Sequence, residues 1–139
     1  MEIVKRLEID AGHRLLKHEG KCRHVHGHRY AFEIHAQAPY LDDVGRVIDF
    51  SVIKKVIGGW LDDRWDHGFI AQMGDPIIPW LEENEQKFYL LDMPPTAENL
   101  SLYLLRLCKP DGMLGKLLPG ILVTQVVCYE TPTSRAVAT

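Results

Sequence analysis

His26-Gly27-His28-Arg29-Tyr30-Ala31-Phe32-Glu33-Ile34-His35-Ala36-Gln37 alternates from end to end. His26, His28, Tyr30, Phe32, Ile34 and Ala36 fall on one side, and Arg29, Glu33, His35 and Gln37 on the other. Period-two alternation of this length marks a strand with one face on a core and one toward solvent. Pro39 ends it. The apolar side opens with two imidazoles instead of hydrocarbon. Residues i and i+2 of a strand point the same way, so the two rings project together, as metal ligands do.

Working upstream, His18-Glu19-Gly20-Lys21-Cys22-Arg23 is polar and reads as a loop. Before it, Ile3, Leu7, Ile9 and Ala11 share one side, with Lys5 an exception, against Arg6, Glu8 and Asp10 on the other. That is a second half-buried strand, and His13 follows in register with its apolar side. Two residues compete to be a third ligand. His24 shares the parity of His26 and His28, but on a straight strand its Cα would stand about 13 Å from that of His28. His13 is better placed, because antiparallel pairing brings the end of the first strand beside the start of the second. Three histidines with an open fourth position are the donor set of a catalytic zinc.

Downstream the period changes. Val52, Ile53, Val56, Ile57, Trp60 and Leu61 recur at helical spacing, with Asp49 or Ser51 as cap. Asp75-Pro76 predicts a short helix with Pro at its first position, and Lys87–Leu91 a short strand. Thr96 reads as the N-cap of a helix striped by Leu100, Tyr103, Leu104 and Leu107 and ended before Pro110. Ile121–Thr131 is strongly β-branched, and Arg135–Thr139 is a weak last strand. The expectation is one α+β domain over residues 1–139. Its antiparallel four-stranded sheet carries two main helices on one face, in the order β-β-α-α-β-β with a small helix/strand insertion. Such a sheet leaves two edges open, and association of copies would cover them.

Composition narrows the function. The chain has 139 residues, 46% apolar and 25% charged, as a soluble globular domain does. Its net charge of −3, with both signs mixed along the chain, excludes a nucleic-acid footprint. No apolar run approaches the roughly 20 residues of a membrane span. The opening residues lack a signal-peptide core, and three widely spaced cysteines do not make a disulfide framework. The expected compartment is the cytoplasm. Cys108 and Cys128 fall in core patterns, whereas Cys22 stands between Lys21 and Arg23, where cations favour a thiolate. Asp66-His67 follows the first main helix, and an aspartate that orients an imidazole tunes it for acid–base work. Glu130, at the end of the strongest strand, could accept paired N–H donors from a heterocycle.

Ala11-Gly12-His13, the block from Lys21 to Tyr30 with its C-x₃-H-G-H-x-Y pattern, Gly45–Phe50, Asp66-His67, Pro95-Thr96-Ala97-Glu98-Asn99-Leu100 and Tyr129-Glu130-Thr131 together resemble the 6-pyruvoyl-tetrahydropterin and 6-carboxytetrahydropterin synthase family. They run in the family's order over nearly the whole chain, and the bacterial 6-carboxytetrahydropterin synthases look most similar. The resemblance implies the tunnelling fold, a homohexamer built as a dimer of trimers, and active sites at subunit interfaces. It implies Zn²⁺ on His13, His26 and His28. It makes Cys22 the general base with Asp66 and His67 as acid–base partners, and Glu130 the pterin anchor, supported by Thr96 and Glu98. The implied substrate is 7,8-dihydroneopterin triphosphate. The implied products are 6-carboxytetrahydropterin, acetaldehyde and triphosphate, on the route to queuosine. 6-Pyruvoyl-tetrahydropterin formation and a non-catalytic pterin-binding protein are the alternatives. Lys17, Lys21, Arg23, Arg29, Arg64 and Arg135 are the cations available to the triphosphate.

Overall fold

The computed structural model describes residues 1–139. The two alternating segments form long strands, β1 (Glu2–His13) and β2 (His26–Gln37), paired antiparallel from Glu2↔Gln37 to His13↔His26. Their inward sides are the ones the alternation marks: Leu7, Ile9, Ala11, Tyr30, Phe32, Ile34 and Ala36 are buried. A short 3₁₀ turn (Lys21–Arg23) lies in the loop between them. Strand β5 (Leu122–Thr131) pairs with β2, and β6 (Ser134–Ala138) with β5, both antiparallel.

Two further strands correct the expected four-stranded antiparallel sheet. β3 (Phe69–Gln72) pairs parallel to β1, and β4 (Phe88–Leu91) pairs parallel to β3. The sheet is six-stranded and mixed, in the order β4-β3-β1-β2-β5-β6. β3 shows no alternation because Phe69, Ile70 and Ala71 are all buried. A strand covered on both faces reads as a plain apolar run, and four residues are too few to separate it from a loop.

The helical stripe after Asp49 is one continuous stretch. Helix α1 (Phe50–Ile53) passes into a π-helical turn (Lys54–Gly58) and then into α2 (Gly59–Arg64). Asp49 is the cap, its side chain accepting from Ser51 N at 2.8 Å. Gly58 lets the π turn press on β1, since a Cβ there would stand 3.3 Å from Leu7 Cδ2. The next helix, α3, spans Ile78–Glu83. The expected start at Pro76 is therefore moved two residues on, and Asp75 spends its carboxylate on Ile77 N and Arg14. Helix α4 (Ala97–Cys108) begins as its sequence indicates, with Thr96 Oγ1 accepting from Asn99 N at 3.2 Å. Such a cap contributes about 1 kcal/mol.

The core lies between one sheet face and the helices. Ile53, Ile57, Trp60 and Leu61 from the first helical stretch join Leu100, Leu104 and Leu105 of α4 against Tyr30, Phe32, Ile34, Val126 and Cys128. Trp65 is fully buried at the end of α2 and packs on Phe32 and Trp60. Cys108 and Cys128 are core residues, and burial pushes the Cys108 thiol up to about 12. No helix is long and apolar enough to cross a membrane.

Candidate metal centre and acid–base pair

Pairing of β1 with β2 sets His13 opposite His26 and Ala11 opposite His28. The three imidazoles converge: their ligand nitrogens all lie within 4.8 Å of one another, and the ring centroids are 4.6 to 5.1 Å apart. His24 is exposed, and only its backbone takes part.

Each ring is oriented for this meeting. His13 is buried, and its Nδ1 donates to the Pro95 carbonyl at 2.7 Å, with the Tyr30 hydroxyl 3.1 Å away. His26 Nδ1 donates to the His24 carbonyl at 2.6 Å. A carbonyl can only accept, so both rings carry their proton on Nδ1 and turn the Nε2 lone pair inward. Backbone carbonyls commonly fix metal-binding histidines in this way. The two Nε2 atoms then stand 3.1 Å apart. Two lone pairs at that distance repel unless a proton or cation lies between them. His28 Nε2 is buried without a hydrogen-bond partner, and Glu130 Oε1 at 3.7 Å is too far to be one. Burial lowers the pKa of His13 and of His28. For His13 it outweighs the Pro95 carbonyl, and for His28 it outweighs the Glu130 charge. In both, burial favours the neutral form that a metal requires. The donor set fits a divalent cation that accepts imidazole.

Glu130 reaches this centre through strand parity. Ala31 pairs with Tyr129 and Phe32 with Cys128, so Glu130 shares the inward face of Tyr30 and His28. The β5–β6 register shifts between Tyr129 and Thr131, which leaves Glu130 outside that ladder. Cys22 is half-buried, and its carbonyl accepts from Leu15 N at 2.9 Å, tying the loop to the chain two residues past His13. Thr96 is occupied as the cap of α4. Glu98, in the first turn of the same helix, is exposed.

Asp66 and His67 form a pair of their own. His67 Nδ1 stands 2.8 Å from Asp66 Oδ2, and Asp66 Oδ1 accepts from Asp10 N at 2.9 Å. Burial pushes the Asp66 carboxyl up, but the Asp10 N–H and the His67 ring together hold it below the usual aspartate value. His67 N donates to Asp10 O, and Gly12 N donates to Gly68 O, so the turn rides the edge of β1. Asp10 and Gly12 belong to the outward face, with Gly27 and Arg29 beside them. His67 is exposed in a shallow cleft lined by these four residues together with Ala11 and His28. The pair makes no hydrogen bond or ion pair with His13, His26 or His28. The resemblance places Asp66-His67 among the site residues; within one copy His67 borders the same cleft as His28 without bonding to any of the three imidazoles.

Three participants carry no side-chain signal in the sequence. The Pro95 and His24 carbonyls are backbone atoms, and Tyr30 reads as a core aromatic. Among the candidate cations, Arg29 is paired with Glu8 and Asp10, Arg64 with Asp63, and Arg135 bonds the Tyr129 hydroxyl. Lys17, Lys21 and Arg23, all in the β1–β2 loop, have no ion-pair partner.

A mixed six-stranded sheet packed on helices, with three convergent histidines beside a glutamate, defines an α+β protein with a candidate metal centre. The sequence profile described as 6-pyruvoyl tetrahydropterin synthase matches residues 2–139, and the chain belongs to that family. It is 40% identical over 136 residues to 6-carboxy-5,6,7,8-tetrahydropterin synthase of Rickettsia bellii, covering 95% of each chain. It is 30% identical to the enzyme of the same name from Aquifex aeolicus, covering 97% of this chain and 95% of the relative. Among solved structures, an uncharacterized protein of Wolinella succinogenes superposes with a TM-score of 0.81 at 25% identity, over 99% of this chain and 97% of that one. The 6-pyruvoyl tetrahydropterin synthase of Plasmodium vivax shares the fold, with a TM-score of 0.71 at 18% identity and coverage of 99% and 96%.

Proposed function

We propose that the protein is a zinc-dependent lyase that converts 7,8-dihydroneopterin triphosphate to 6-carboxy-5,6,7,8-tetrahydropterin, releasing acetaldehyde and triphosphate. This is a step toward 7-deazaguanines such as queuosine. The observation that carries this reading is the convergence of His13, His26 and His28 with Glu130 on the same sheet face. The 6-carboxy assignment follows the names of the more similar relatives.

His13, His26 and His28 would hold Zn²⁺, and the bound ion supplies Lewis acidity toward the hydroxyl oxygens of the substrate side chain. Glu130 accepts the 2-amino and ring N–H groups of the pterin, fixing the reacting carbons beside the histidines. Cys22 is the general base that removes a carbon-bound proton. His67, oriented by Asp66, moves protons elsewhere on the side chain and ring. Thr96 and Glu98 support the ring from the start of α4. Lys17, Lys21 and Arg23 meet the triphosphate, since their charges are uncommitted.

Because His67 lies on the outward face, the acid–base pair serves the histidine cluster of a neighbouring copy. Strands β4 and β6 end the sheet, and open edges invite pairing with another chain. Copies joined edge to edge into a barrel, as a dimer of trimers, would set active sites at the interfaces. The test is incubation of zinc-loaded protein with 7,8-dihydroneopterin triphosphate and identification of products by mass spectrometry. Acetaldehyde with a 6-carboxypterin is expected. A 6-pyruvoyl product would replace the assignment, and pterin binding without any turnover would refute the lyase.

A further inference from the structure

The turn carrying Asp66 and His67 is held from an unexpected direction. His67 adopts a φ of 55°, which is uncommon for a residue with a Cβ. The Asp62 carbonyl lies in the last turn of α2, where carbonyls lack partners within the helix, and the Asp66 carbonyl lies just beyond that helix. One side chain takes both. Lys87 Nζ donates to Asp62 O at 2.9 Å and to Asp66 O at 2.6 Å. The Lys87 carbonyl accepts from Phe69 N at 3.0 Å. Its stem crosses Gly68, where a Cβ would come within 3.2 Å of Lys87 Cγ. The residue just before β4 thus grips the turn through Asp62, Asp66 and Phe69. An ammonium suits the task, being a compact charge with three donors. The charged groups acting on the Asp66 carboxyl are His67 and Lys87, and both favour the carboxylate.

We propose that Lys87 is a positioning residue for the Asp66–His67 pair, clamping the turn so that the imidazole is presented at a fixed angle. The proposal rests on the acid–base role given to that pair above. It predicts that the clamp acts on the rate of the chemical step and not on substrate binding.

The test compares the full, metal-loaded protein with its Lys87→Met and Lys87→Arg variants. Met removes the charge and both hydrogen bonds while keeping most of the stem. The kcat of K87M is expected to fall about tenfold or more, as misplaced catalytic groups do, with KM within about twofold and metal content unchanged. K87R keeps charge and donors and is expected to recover most of the rate. A second readout does not need turnover: the carbon-13 signal of the Asp66 carboxyl is expected to titrate at higher pH in K87M than in the wild type. A K87M rate within about twofold of wild type, a loss carried by KM alone, or an unmoved Asp66 titration overturns the proposal. If wild-type protein converts no pterin while the Asp66 signal still moves in K87M, the proposed function fails and the clamp stands.

Discussion

Gly27 separates two of the three convergent histidines, and replacing it with alanine should loosen the metal centre without touching a ligand. A Cβ at this position would stand 2.9 Å from the Ala11 carbonyl oxygen, 3.5 Å from its carbon and 3.6 Å from Gly12 Cα. All three are backbone atoms, so no side chain can swing aside. Close carbon–oxygen contacts settle at about 3.3 Å or more, and β1 and β2 must therefore separate by about 0.4 Å where they bring His13 to His26. Metal sites tolerate ligand displacements of about 0.2 Å. The expected cost is about 1–3 kcal/mol in fold stability, or roughly 5 °C in Tm for a chain of this size. Zinc affinity should fall about 10–100-fold, as when ligand orientation is lost. Competition with a chromophoric chelator measures the affinity, and melting of the metal-free protein measures the strain. Gly12→Ala is the informative comparison. Its Cβ would meet Phe69 Cδ2, a side-chain atom, at 3.1 Å and the His26 carbonyl oxygen at 3.3 Å, so its closest backbone contact is longer than the 2.9 Å at Gly27 and its effect should be smaller. Gly59→Ala meets nothing within 4 Å and should be neutral or stabilising. Unchanged zinc affinity and Tm in Gly27→Ala would refute the close-approach argument.

Cys22→Ala should abolish turnover and keep stoichiometric zinc, and metal analysis showing loss of zinc would make Cys22 a ligand instead. His28→Ala should lose both zinc and activity. Equimolar co-assembly of Cys22→Ala and His67→Ala chains, each inactive alone, should restore about a quarter of wild-type sites if Cys22 and His67 of one site come from different copies; an inactive mixture would place both on one chain. Asp75 is buried against Arg14, and although burial pushes its carboxyl up, the guanidinium and the Ile77 N–H hold it below the usual value. Its folded pKa thus lies under its unfolded one, so the stability it contributes is full above the ordinary aspartate range and lost as pH falls through the lower folded value. Asp75→Asn should be about 3 kcal/mol less stable than wild type at pH 7, and urea melts should show that gap narrowing at low pH.

The sequence was most legible where one face of an element meets water. β1, β2 and α4 each carry an amphipathic period, and Asp49 and Thr96 cap helices as their chemistry suggests. Legibility failed where burial is two-sided or where the partner is backbone. β3 is apolar throughout, so it joined the sheet unannounced and turned an antiparallel expectation into a mixed sheet. The π turn at Lys54–Gly58 shifts the helical period in a way no residue type encodes. The carbonyls of Pro95, His24 and Asp66 do site work that no side chain reports. Antiparallel pairing of β1 and β2 was enough to prefer His13 over His24, because that choice depended only on reach and parity.

On the proposed reading, in which Asp66 and His67 act with the three histidines, the same parity leaves half of the site on each chain. Side chains alternate strictly across a sheet, so Ala11, His13, His26 and His28 must face away from Asp10, Gly12, Gly27 and Arg29. Asp66 and His67 hydrogen-bond to the backbone of Asp10 at the edge of β1, and His67 opens toward that second set. Moving His67 to the histidine side would break the bonds to Asp10 N and O, the Gly12–Gly68 bond and both Lys87 contacts at once. A turn fixed by five hydrogen bonds resists hinging, because giving up each one without replacement costs about 1 kcal/mol, less for the exposed Lys87 bonds. Bringing a second copy to the open sheet edges costs none of them. The rigidity of the turn therefore favours a site completed by association over one completed by motion.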